Sequence, residues 1–262
     1  MYKPQPQTTV SRSGVQVLDR VLDILDLLAK AEYPLSLAKI ANMSGLSKST
    51  VHRLLSALQA RDYVEKLSDA TYRLGIKVLE IASYHINTLE LLTESRPHLN
   101  ALHRSLNLSS HLGLLEDYQV VYIGLVNSAS YTKYYAQVGK RSPAFCSSMG
   151  KCLLAGLSKT DLDETLNHIE LKAYTERTIT DPRSLRRHLA EVRNRGWAMD
   201  NEEYQEGQRC IGAPVFDYRG DSLAAISVSG QVSHISDDRV EEIARQVKNA
   251  ALLISQGMGY SV

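Results

Sequence analysis

Cysteine is scarce in this chain. Cys146, Cys152 and Cys210 are the only three among 262 residues. An odd number without C-x-x-C spacing argues against both a disulfide framework and a structural zinc site. Long apolar runs are also lacking: none approaches the roughly 18 residues of a membrane helix, and the apolar segment near Val21 is interrupted by Asp23 and Asp26. The first 14 residues, MYKPQPQTTVSRSG, contain no apolar h-region and are polar and proline-bearing. Residues 1–14 are therefore expected to be a disordered tail rather than a signal peptide, on a soluble cytoplasmic chain with no membrane partner. Internal repeats and low-complexity tracts are absent as well.

Net charge is almost nil, at +1, but it is unevenly spread. Residues 1–75 hold ten Lys/Arg against seven Asp/Glu, and the remainder holds twenty against twenty-two. Between Ser47 and Arg61 there are three cations and no carboxylate, so the positive charge is concentrated in one short segment. With 262 residues, 44% of them hydrophobic, the chain is longer than a usual single domain and can bury a sizeable core, which predicts two domains.

That basic segment belongs to PLSLAKIANMSGLSKSTVHRLLSALQARDYV, Pro34 to Val64, which reads as two short helices joined by a tight turn. Leu37, Ile40 and Ala41 recur at helical spacing; Gly45 supplies the turn and Ser47 is placed to cap the next helix. Val51, Leu54, Leu55 and Leu58 form that helix's apolar stripe, and the other face carries Lys48, Ser49, Thr50, His52 and Arg53. Short hydroxyls and cations near a helix N-terminus suit entry into a DNA groove. Ser49, Thr50 and Arg53 are the first candidates for base contact, while Lys48 and the amides of the helix start suit phosphate. Tyr63-Val64-Glu65 and Thr71-Tyr72-Arg73-Leu74 alternate as two short strands around Lys66–Ala70, a hairpin that would form a wing and bring Arg73 to a phosphate.

A preceding helix from about Val15 to Ala29 places Val17, Val21, Ile24, Leu25 and Leu28 on one face. After the wing, Ile76 to Leu92 is amphipathic with few breakers and predicts one connecting helix, an element that often carries a dimer contact. The remainder alternates. Helices are expected at Pro97–Leu106, Gly150–Gly156, Leu185–Arg195 and Asp237–Met258. Strands are expected at His111–Leu115, Val120–Val126, Tyr134–Val138, Arg209–Phe216 and Ser222–Ser229, with a hairpin at Asp217-Tyr218-Arg219-Gly220. This mixture predicts an α+β sensor domain.

The SKSTVHRLL helix followed by YRLG and a connecting helix resembles the IclR family of bacterial transcription regulators. The resemblance continues through PAFCSSMGK (Pro143–Lys151), DNEE (Asp200–Glu203), GQRCIGAPVFD (Gly207–Asp217) and AISVSG (Ala225–Gly230). It implies a winged helix-turn-helix domain (15–75), a linker helix (76–92) and a GAF-like effector-binding domain with an antiparallel sheet (93–262). It further implies a homodimer or homotetramer on double-stranded operator DNA, with repression favoured over activation and no cofactor. By the same resemblance, Ser148, Met149, Gly150, Asp200, Cys210, Ser227 and Ser229 line the effector site, and Tyr134 and Gln208 are specificity positions.

The residues themselves are compatible with such a pocket. Ser148-Met149-Gly150-Lys151 puts hydroxyl and backbone donors at an expected helix start, suited to a carboxylate. Ser227 and Ser229 alternate along a strand, so both hydroxyls face one side and need polar partners if buried. Otherwise Ser148 caps a helix and Cys210 packs as a small hydrophobe. Tyr131, Tyr134 and Gln208 favour a hydroxylated acid such as a sugar acid, with an aromatic acid as the alternative because tyrosines also stack. Enzyme readings find less support. Ser148 to Lys151 spells S-x-x-K without companion motifs, Gly150-Lys151 lacks the rest of a phosphate-binding loop, and no base can be set beside Cys146 or Cys210. His111 and Cys146 could hold a metal, but two ligands without a spacing motif assign no metal site. A metabolite sensor that does not touch DNA would lack the basic face of Lys48, His52 and Arg53.

Overall fold

The computed structural model describes residues 15–88, 90–127 and 137–261, with the side chains of 83–88 left aside. The chain divides into two compact units after Thr88.

The first unit contains α1 (Gln16–Lys30), β1 (Leu35–Ser36), α2 (Leu37–Ser44), α3 (Lys48–Gln59), β2 (Val64–Lys66), β3 (Thr71–Leu74) and α4 (Ile76–Thr88). Its three strands pair antiparallel in the order β1-β3-β2. Ile24 and Leu28 of α1 close a core with Ile40, Val51, Leu55 and Tyr72. The apolar stripe of α1 is one turn shorter than its spacing suggests. Val21 and Leu25 pack against the core, but Val17 is 55% exposed.

The second unit contains α5 (Glu90–Leu106), β4 (Ser109–Glu116), β5 (Gln119–Val126), β6 (Arg141–Pro143), α6 (Ser148–Gly156), α7 (Lys159–His168) and α8 (Pro182–Arg195). There follow β7 (Ala198–Asn201), β8 (Gln208–Phe216), β9 (Ser222–Gln231), a 3-10 turn (Asp237–Arg239) and α9 (Val240–Gly257). Its strands form an antiparallel sheet in the order β6-β5-β4-β9-β8-β7. Helices α5 and α9 pack on one face, and α6, backed by α8, packs on the other. The architecture is α+β, as the alternation of elements predicts.

The apolar pattern from Ile76 to Leu92 is helical on both sides of residue 89, which lies outside the described residues, and Leu91 and Leu92 are buried in the part that follows it. Two local expectations change. Pro97 does not start a helix but lies inside α5, where the missing N–H leaves only one carbonyl of the preceding turn unpaired. Of the strand expected at Tyr134–Val138, Gln137 and Val138 belong to no strand, and Tyr134 lies outside the described residues, as does Tyr131. Helix α7 has no counterpart in the sequence reading. It starts from a Ser158 cap that accepts from Asp161 N at 3.1 Å.

Candidate DNA-reading and effector sites

Gly45 ends α2 in the left-handed conformation, at φ 67°. Two residues later Ser47 caps α3, its Oγ accepting from Thr50 N at 3.3 Å. The same Oγ lies 3.0 Å from Ser49 Oγ and 2.9 Å from Thr50 Oγ1. Val51, Leu54, Leu55 and Leu58 are buried, which turns Lys48, Ser49, His52 and Arg53 outward. The expected groove-facing set thus lies together on one helix face, with a distinction the spacing did not reveal. Thr50 is half-buried and engaged with the cap, so it is less available to a base edge than Arg53. Ser56, one turn past His52 on the exposed side, was missed; its hydroxyl donates to His52 O at 2.8 Å.

In the wing, Arg73 stands directly across from Glu65. Its Nε donates to Glu65 Oε2 at 2.9 Å, with both side chains half exposed. An exposed pair of this kind contributes about 0–1 kcal/mol, so a phosphate can compete for the guanidinium.

In the second unit, α6 begins where the sheet brings its backbone closest. Ser147 caps α6, accepting from Gly150 N at 3.3 Å and donating to Pro143 O at 2.9 Å. The cap is therefore Ser147, and Ser148 is the first helical residue. Gly150 lies against the Ala144 backbone, where any Cβ would overlap the carbonyl. A Cβ at Gly212 of β8 would lie 3.1 Å from Met149 N. At its other end α6 meets Ser222, through Gly156. The helix therefore runs along the sheet with its N-terminus directed toward the row that precedes Gly212.

That row is a continuous cross-strand ladder. Ser109 of β4 faces Ser229 of β9, Ser229 faces Cys210 of β8, and Cys210 faces Asp200 of β7. The adjacent row pairs His111 with Ser227 and Ser227 with Gly212. Gln208 sits two residues beyond Cys210 on the same face, half-buried at the strand end. The first amides of a helix have no intrahelical acceptor and sit at its positive pole. Here they look along a sheet face carrying hydroxyl, imidazole, thiol and carboxyl groups. Among the expected effector residues, Ser148, Met149, Gly150, Asp200, Cys210, Gln208, Ser227 and Ser229 all fall on this helix start or this face.

Among the neighbours of this face, Tyr122, Phe145, Tyr174 and Tyr204 were not singled out in the sequence, whereas His111 and Cys146 stood out there only as possible metal ligands. His111 stacks edge-on against Tyr122 at 5.5 Å, and Ser227 Oγ is 3.5 Å from its Nδ1. Burial lowers the His111 pKa to about 4, so the ring is neutral. Its Nε2 and the Ser229 hydroxyl are buried with no hydrogen-bond partner. Phe145, Tyr174 and Tyr204 form an aromatic wall beside Cys146, with centroid separations of 6.2 and 5.2 Å. Only cross-strand register and the fold of the Tyr174 segment bring these residues together.

The geometry also bears on the other chemistries. Lys151, fully buried, donates Nζ to Glu203 Oε1 and to Met199 O, so it is paired away from the role of base to Ser148. Burial pushes the Cys146 thiol well up and the Cys152 thiol up to about 12, leaving both as neutral, weakly nucleophilic thiols. Among the described residues no three His, Cys, Asp or Glu side chains gather to hold a metal ion, and no helix is long and apolar enough to cross a membrane.

Residues 17–68 match the IclR helix-turn-helix domain, and residues 84–256 match the bacterial transcriptional regulator IclR C-terminal domain. The chain is 36% identical to the HTH-type transcriptional regulator BhcR of Paracoccus denitrificans over 94% of its length and 88% of that protein. It is 32% identical to the transcriptional repressor IclR of Escherichia coli over 98% of its length and 95% of that protein. The crystal structure of the Thermotoga maritima IclR superposes with a TM-score of 0.81 at 30% identity, covering 94% of this chain and 99% of that one. Two family matches that together span most of the chain, and relatives aligned nearly end to end, agree with a capped recognition helix in one unit and a helix start over a polar sheet face in the other. The chain belongs to the IclR family of DNA-binding transcriptional regulators, and is not an enzyme.

Proposed function

We propose that this regulator is a cytoplasmic repressor that pairs two winged domains on an inverted-repeat operator and changes its DNA affinity when a small hydroxylated carboxylate, a sugar acid in the first instance, enters the second unit. Lys48, Ser49, His52 and Arg53 face the major groove, Ser47 and Thr50 hold the helix start, and Arg73 meets a phosphate from the wing. In the effector site the carboxylate lies at the Ser148 and Met149 amides at the start of α6, with Gly150 allowing the close approach, and the hydroxyls face Asp200, Cys210, Ser227, Ser229 and His111. Gln208 reads the far end, and Tyr134 is kept as a specificity position. The carrying observation is the pair of unpartnered buried groups, Ser229 Oγ and His111 Nε2, on the face that α6 points along. A buried polar atom without a partner costs about 1–3 kcal/mol, and a polyhydroxylated ligand removes that cost.

Symmetric pairing sets the spacing of the two half-sites. The effector then shifts DNA affinity only as far as it discriminates between the two arrangements of the protein. The test is fluorescence anisotropy on DNA from upstream of the gene and its neighbours, at two salt concentrations, with and without aldonates and ketoaldonates. Sequence-selective binding that one of these acids alters is expected. Binding no tighter than that to random DNA rejects the operator reading, and a response to hydroxybenzoate but to no sugar acid rejects the ligand class. An aromatic acid is the second reading, favoured by the Phe145–Tyr174–Tyr204 wall.

A further inference from the structure

Asp200, Lys151 and Glu203 form a buried charged cluster at the edge of the effector face. Asp200 is 1% exposed and Lys151 fully buried, and Glu203 is buried beside them. The single cation is already engaged, because Lys151 Nζ donates to Glu203 Oε1 and to the Met199 carbonyl. Asp200 Oδ1 accepts the backbone N–H groups of Glu203, at 2.8 Å, and of Tyr204, at 3.3 Å. One ammonium against two carboxylates leaves the ionised cluster with one excess negative charge. The other titratable groups facing Asp200 are Cys146 ahead of α6, Cys210 opposite it on β8, Tyr122 on β5 and Tyr204. None of these supplies a positive charge, and His111 in the neighbouring row is neutral.

An anionic effector seated at the α6 N-terminus would add a second uncompensated charge to this low-dielectric face. The helix pole attracts the ligand, whereas the Asp200 carboxylate repels it. Resting on the effector reading above, we propose that the pocket takes up its carboxylate ligand together with one proton, held on Asp200. The proton comes from solvent and binds a carboxylate oxygen of Asp200. The neutral carboxyl then donates its O–H to a ligand oxygen, and no other bond is made or broken. Burial, reinforced by the Glu203 charge, has already raised the Asp200 pKa to about 7 in the ligand-free protein, so the proton is close to being held before any anion arrives.

The arrangement differs in a measurable way from an ionised Asp200 that merely accepts a hydrogen bond from a ligand hydroxyl. D-gluconate and 4-hydroxybenzoate would be titrated calorimetrically into the full-length protein at about pH 8, in phosphate and in Tris, whose ionisation heats differ. For the probe that binds, the apparent enthalpy should differ between buffers by most of one proton taken up, and Kd should rise roughly tenfold per pH unit above the Asp200 pKa. In Asp200→Asn, with folding checked by circular dichroism, the uptake should disappear. Binding with equal heats in the two buffers overturns the proton coupling and leaves the effector reading standing. Uptake that persists in Asp200→Asn overturns the assignment to Asp200. Failure of both probes to bind folded wild-type protein overturns the effector reading, and the coupling with it.

Discussion

Gly212 and Met149 are in backbone contact: a methyl group on the former would lie 3.1 Å from the amide nitrogen of the latter. Sheet and helix therefore touch without an intervening side chain at the point where α6 begins. Gly212→Ala is expected to shift the first turn of α6 by a few tenths of an ångström from the sheet, at the cost of about 1–3 kcal/mol typical of overpacking. Thermal melting should report the loss, and anisotropy should show a weakened effector response with ligand-free DNA binding retained. An unchanged melting temperature together with a full response would show that the contact has no role in setting the helix start.

On the recognition helix, Arg53→Ala should weaken operator binding and relax sequence preference, costing about 1–3 kcal/mol on the preferred sequence, whereas Lys48→Ala should weaken all DNA evenly and lower the salt slope. Ser47→Ala removes the α3 cap and should cost about 1 kcal/mol of stability in the first unit. Competition titrations against random DNA separate the first two variants. An equal loss on operator and random DNA for Arg53→Ala would count against its reading a base.

Lys151→Met strands Glu203, whose second oxygen already has no partner. Removing one member of a buried ion pair costs about 3–5 kcal/mol, while replacing both with apolar residues is far milder. Urea unfolding should therefore place Lys151→Met well below wild type, and Lys151→Met with Glu203→Leu between them. A double variant no better than the single would mean that the hydrogen bond to Met199 O outweighs the pairing of charges.

His111 and Asp200 give stability opposite slopes with pH. The His111 pKa is depressed to about 4 from 6.5, so below neutrality the unfolded chain binds the extra proton, and His111's contribution falls as pH drops from 6.5 toward 4. The Asp200 pKa is raised to about 7 from 3.8, so here the folded protein holds the extra proton, and its contribution falls as pH rises from 3.8 toward 7. Over that shared window the two slopes offset each other, so His111→Gln should lose stability more steeply than wild type as pH rises, and Asp200→Asn more steeply as pH falls. Parallel pH profiles for wild type and both variants would contradict the two titrations.

The first unit was the more legible in sequence because its information is local. A cap at Ser47, a left-handed Gly45 and a stripe from Val51 to Leu58 lie within one short segment, and periodicity alone places Arg53 on the outer face. In the second unit the strands at His111 and Ser227 were recognisable one at a time. Their pairing was not, since register depends on contacts between residues far apart in sequence. Tyr122 and Lys151 therefore went unnoticed as neighbours of Asp200. Strands as short as Arg141–Pro143 and Ala198–Asn201 give almost no alternation to detect. Thr50 shows the limit even for local reading, because spacing puts it on the groove face while its hydroxyl is turned to Ser47.

Strand β4 carries Ser109 and His111 on the effector face, while Ser110 between them donates its hydroxyl to the Leu99 carbonyl of α5 at 2.8 Å. The pleat thus makes one strand both the floor of the site and a fastening to the helix behind it. A molecule that pries β4 outward must either drag Leu99 with it or break a bond that water cannot reach to replace. The floor of the site and the helix behind it are thus joined both by that bond and by the packing of α5 on β4.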